Sequence, residues 1–136
     1  MKNGRGHNIF EGLNSNGSVV LQVEFRFSGG QYQVRVGLLN DGSSFSNTSW
    51  FTITNASHSL ELDWRASTAP GANNGAVTFW IDGAQRANVS TVDNDTRRIE
   101  RVRLGAMSGI DSGTRGTYYF DAFESRRTTY IGPAVP

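Results

Sequence analysis

The chain contains no cysteine, only 3 prolines and 2 histidines, and Lys2 is the only lysine among 13 cationic residues. Without thiols there is no disulfide staple, no thiolate nucleophile and no cysteine-held zinc. His7 and His58 leave little material for a histidine-centred catalytic array. No apolar run approaches the ~20 residues that a membrane-spanning helix needs. No signal peptide leads the chain, so the export signal of an exported parent would lie outside this sequence. The 13 cations are scattered among 12 acids for a net charge of +1, so no basic stripe marks nucleic acid as the partner. No segment sustains a 3.6-residue apolar period, which leaves room for no more than a short helical turn near residues 93–98.

Alternation is what the sequence has instead. Val19, Leu21, Val23, Phe25 and Phe27 fall on one face and Gln22, Glu24 and Arg26 on the other. Ser28, Gly29 and Gly30 turn the chain, and Tyr32, Val34, Val36 and Leu38 resume the period, which predicts a long β-hairpin with one buried face. Further strands are expected at Trp50, Phe51 and Ile53, at Leu60, Leu62 and Trp64, and at Val77, Phe79 and Ile81. Asp82-Gly83 then supplies a two-residue turn requiring positive φ at both positions. Val102 and Leu104 form another strand, and Tyr119, Asp121 and Phe123 opposite Tyr118, Phe120 and Ala122 form a last one. Roughly nine strands punctuated by 16 glycines point to a sandwich or jelly roll. A 136-residue chain that is 37% hydrophobic can bury one core. The domain is placed at 1–131, with 132–136 as a linker or tail.

Four stretches, in order, resemble the concanavalin-A-like lectin/glucanase superfamily and its laminin-G-like domains. They are His58 to Trp64; Gly75 through Phe79 and Trp80 to Gly83; Arg103 to Met107; and Gly116 through Tyr118, Tyr119, Phe120 and Asp121 to Phe123. Together they span about residues 48–127. The resemblance implies an antiparallel all-β sandwich of two sheets, but it carries lectins, glycan hydrolases, adhesion modules and spacers alike. Such domains begin upstream of the position matched here by His7, Asn8, Ile9 and Phe10. A missing N-terminal edge strand is therefore one reading and a naturally compact domain the other. An open edge would offer a route to a homodimer.

Glycan hydrolases of family 16 on this fold carry paired carboxylates on one strand face, as nucleophile and acid/base. Glu61 and Asp63 match the start of that pattern, but Arg65 and Ala66 stand where the second catalytic carboxylate belongs. Arg65 is expected to pair with Glu61 and Asp63 on a solvated face. No Gly-x-Ser-x-Gly elbow exists, since Ala106 and Ile110 flank Ser108 where glycines are needed. The chain is read as a non-enzyme.

Binding remains. Sugar sites stack exposed aromatics on rings and use amides and carboxylates for hydroxyls. The aromatics out of phase with the core are Trp80 and Tyr118; Trp50 opens a strand after a polar loop, and Tyr130 lies beyond the final strand. Asn73 and Asn74 add amides in a nearby loop. Each aromatic has a plain packing role as its alternative. Asp93, Asp95 and Asp111, with Asn94, offer hard oxygens that make calcium the candidate cofactor, although Asp and Asn serve equally as caps and turns. Sequons begin at Asn16, Asn47, Asn55, Asn88 and Asn94. The leading expectation is a carbohydrate-binding module of a larger extracellular or cell-surface protein, with no nucleic-acid or membrane partner. The alternative is an interaction domain that assembles through a sheet edge without a small-molecule ligand, and a glycan hydrolase remnant is the third reading.

Overall fold

The computed structural model describes residues 6–132. Its regular elements are all strands: β1 (His7–Leu13), β2 (Val19–Ser28), β3 (Gln31–Leu39), β4 (Phe45–Asn47), β5 (Phe51–Ile53), β6 (Leu60–Arg65), β7 (Gly75–Ile81), β8 (Ala84–Val92) and β9 (Arg101–Leu104). They form two antiparallel sheets. The larger runs β4-β3-β2-β1-β9 with β5 also paired to β3, and the smaller runs β6-β7-β8. The chain is an all-β, two-sheet protein consistent with a β-sandwich.

The alternating pattern explains how the sheets face each other. Val34, Val36 and Leu38 of β3 and Val77 and Phe79 of β7 are wholly buried between the sheets. Removing each such side chain from water contributes about 1.5–3 kcal/mol. On β7, Gly75, Val77, Phe79 and Ile81 are buried while Ala76, Thr78 and Trp80 point the other way. The β7–β8 hairpin closes on Asp82 and Gly83 at φ 53° and 79°, the doubly positive turn that Asp-Gly favours. The hairpin from β2 to β3 closes on Gly29-Gly30, with Ser28 opposite Gln31.

The structure departs from expectation at several places. Residues 117–123 alternate like a strand but form none: they have no ladder partner, and Ala122 at φ 53° breaks the extended run. Near residues 93–98 the chain makes one hydrogen-bonded turn, with Arg97 N–H donating to the Asn94 carbonyl at 3.0 Å, and no helix. The short β4 was not expected. His7–Leu13 is not an edge, because β9 pairs along its free side and itself becomes the sheet terminus. Three strands cannot cover the inner surface of six, and Val102 and Leu104 on β9 stay 38% and 42% exposed. The tail expected at 132–136 lies outside the described residues beyond Gly132, as does the chain start before Gly6.

Candidate functional site

The outward surface of the smaller sheet gathers the residues with the most chemistry. Register sets Trp80 on β7 opposite Glu61 on β6 and Gln85 on β8. The next row holds Asp63, Thr78 and Asn88, and the Asn88 amide donates to Thr78 Oγ1 at 2.7 Å. An indole therefore lies in a line of carboxylate, hydroxyl and carboxamide groups.

Glu61 is not the solvated charge that its outward position implies, being only 8% exposed. Arg65 pairs with Asp63 at 2.9 Å and leaves Glu61 to other partners. The chain returns over this face at residues 130–132, where Ile131 and Gly132 N–H donate to Glu61 Oε2 at 3.2 and 3.1 Å. The Tyr130 ring stands edge-on to Trp80 at 5.4 Å. Partial burial, then the Glu61 charge and a hydrogen bond between the two side chains, push the Tyr130 phenol above its usual pKa. Glu61 Oε1 is buried without a close hydrogen-bond partner. A buried carboxylate oxygen left unpaired is costly, and such atoms are uncommon in folded proteins.

The other expected binding residues lie elsewhere. Trp50 sits on the outward face of the larger sheet, with the guanidinium carbons of Arg26 and Arg35 at 4.0 and 4.6 Å from its ring centroid. Arg35 also pairs with Glu24. The ring already carries two cations, so it is not a bare stacking surface. Tyr118 packs inward: its ring stacks on His7 at 5.8 Å, and its hydroxyl meets His7 Nε2 at 3.1 Å. Beside it a shallow cleft of about 300 Å³ is lined by Ala106, Ile110, Arg115 and Thr117, among others, and has no carboxylate in its walls. Asn73 holds a turn at φ 49°. Asn74 Oδ1 accepts from Ser67 Oγ at 3.0 Å and Thr68 N–H at 2.9 Å, closing its own loop.

The acidic residues regroup. Asp93 and Asp95 meet Asp41, with one carboxylate oxygen from each within 4.8 Å of the others, while Asp111 is not in that group. Asp111 instead closes a turn by accepting from Gly113 N–H at 2.8 Å. Asp41 is anchored by Thr96, whose Oγ1 donates to it at 2.5 Å. Burial raises the Asp95 pKa, and its hydrogen bond to Asp41 raises it further. Burial also acts upward on Asp41, but the bonds from Thr96 and Asp95 outweigh it and hold its carboxyl below the usual value. His58 is a latch: Nδ1 meets Asp82 Oδ2 at 2.7 Å and Nε2 meets Thr54 Oγ1 at 2.9 Å.

Glu61 was visible in the sequence as a charge, but its cover comes from residues seventy positions away. Gln85 could have been placed, because a two-residue turn fixes it opposite Trp80. Asn88 could not, because a bulge between Phe79 and Trp80 shifts the rest of β8. Compared with family models, with curated proteins and with solved structures, the chain finds no match in any of the three.

Proposed function

We propose that the protein is a non-catalytic carbohydrate-binding module of a larger exported protein, and that the Trp80 face of the smaller sheet is its binding surface. The observation that carries the reading is Trp80 flanked in register by Glu61 and Gln85, with Glu61 Oε1 lacking a close hydrogen bond. A sugar offers an apolar ring face for the indole and hydroxyl donors for the carboxylate. The neighbouring Thr78 and Asn88 extend the same chemistry over a second row. The resemblance to concanavalin-A-like domains is in keeping with this reading.

The competing reading, assembly through a sheet edge, draws on β9 with its exposed Val102 and Leu104. Antiparallel pairing opposes residues that share a face. Every such register that pairs more than one residue of β9 with its copy therefore sets an arginine opposite an arginine, from Arg101 and Arg103. Like charges directly opposite destabilise a ladder, so β9 is a guarded edge.

The test is a glycan-array and polysaccharide pull-down screen on wild type and Trp80→Ala. Loss of a buried indole contact of about 2 kcal/mol corresponds to roughly thirtyfold weaker binding. Binding that weakens so while the circular dichroism spectrum and melting temperature hold supports the reading. Equal binding by the variant sinks it.

A further inference from the structure

The Trp80 face is already occupied, and its occupant is the chain itself. Residues 130–132 lay a phenol ring against Trp80 at 5.4 Å and aim two N–H donors at Glu61 Oε2 at 3.2 and 3.1 Å. A ring against the indole and donors on the carboxylate are the two contacts a sugar would make at this place.

The fit is incomplete in a telling way. The segment's N–H groups satisfy Oε2, while Oε1 is buried with no close hydrogen bond beyond the looser one that the Tyr130 phenol makes to the Glu61 carboxylate. It belongs to no sheet, and Tyr130 remains 58% exposed. Its further ties are that phenol contact with Glu61 and a long bond from Arg126 Nη1 to the Tyr130 carbonyl at 3.3 Å. Such a cover is held by few contacts and leaves a buried acceptor underpaired, so a ligand with several donors could replace it.

We propose that the segment 130–132 is an intramolecular competitor for the Trp80–Glu61 face, seated where the glycan binds and displaced by it. This inference rests on the reading of that face as the binding surface. It also narrows the ligand. The displacing group must bring hydroxyl or ammonium donors to Glu61, and a carboxylate or sulfate would sit against Glu61 and Asp63. Neutral or amino sugars fit the face and uronate or sulfated glycans do not.

The experiment uses the full chain, Tyr130→Ala and Trp80→Ala. The probes are neutral cello-, xylo-, laminari- and manno-hexasaccharides, a chitosan hexamer and an oligogalacturonate. The Tyr130 ring is largely exposed, so its removal leaves the core intact. Loss of an aromatic contact worth a fraction of the barrier to binding makes Tyr130→Ala bind roughly two- to tenfold tighter than the full chain. On saturation, hydrogen exchange at the Ile131 and Gly132 amides speeds up. Weaker or unchanged binding by Tyr130→Ala overturns the competitor and leaves the binding face standing. A galacturonate preference overturns the ligand class. If neither the full chain nor Tyr130→Ala binds any probe, the binding face itself fails and the competitor with it.

Discussion

Asn94 and Gly75 form a contact whose energetics can be worked out from geometry. The Asn94 side chain is fully buried. Its Oδ1 accepts from Ser67 N–H at 2.7 Å and its Nδ2 donates to the Arg65 carbonyl at 3.3 Å. One amide thus ties the start of the loop that joins β6 to β7 to the chain just beyond β8. Gly75 opens β7 directly under it: a Cβ there would lie 1.8 Å from Oδ1, 2.5 Å from Cγ and 2.8 Å from Nδ2. Asn94→Ala leaves a buried donor and acceptor unpaired, at about 1–3 kcal/mol each with the longer bond at the low end, so about 2–4 kcal/mol in all. Gly75→Ala must expel the amide and loses the same bonds, which predicts a similar cost. In the double variant the added methyl meets no amide, so its stability should match Asn94→Ala within about 1 kcal/mol and fall well short of the sum. Urea denaturation of the four proteins measures this. The single variants should melt roughly 10 °C lower at about 4 °C per kcal/mol. Additive single effects, or a neutral Gly75→Ala, would refute the shared-amide account. The same burial keeps the sequon at Asn94 from being glycosylated in the folded chain.

Acid should lower the stability of the protein over two pH ranges. Burial holds His7 below the ordinary histidine value of 6.5, so the unfolded chain protonates first and stability declines as pH falls from about 6.5 towards the folded value. Glu11 has a folded pKa below 4.5: burial alone would raise it, but donors from Asn8, Ser108 and Arg103 outweigh burial, so its contribution is present above 4.5 and is lost as pH falls further. His7→Gln should flatten the upper limb and Glu11→Gln the lower in urea midpoints measured across pH, and a variant keeping the wild-type slope in its limb would overturn that assignment. Calcium is tested at Asp41, Asp93 and Asp95, whose three carboxylates supply part of the six to eight oxygens the ion takes. A melting temperature that rises with calcium chloride, falls with chelator and ignores both in Asp93→Asn assigns the ion there, and an unchanged melting temperature removes calcium from the account.

Local chemistry was legible in the sequence. The hairpin of β2 and β3, the doubly positive turn at Asp82-Gly83 and the outward direction of Trp80 all follow from period-two alternation and from what glycine and aspartate tolerate. These are properties of neighbouring residues, and a single chain displays them without its fold. Strand partners were not legible. Alternation at residues 117–123 states which face each side chain would take, but a strand needs a free edge beside it, and the chain there goes to Tyr118 against His7 instead.

The site divided along the same line. The sequence alone determined an all-β chain without thiols, with Trp80 turned away from the core. Only the tertiary structure decided that Glu61 is covered by residues 130–132, that Asp41 replaces Asp111 beside Asp93 and Asp95, and that Arg26 and Arg35 cap Trp50. Each of these depends on contacts between segments far apart in the chain, set by sheet order and loop closure, which residue type and spacing do not encode.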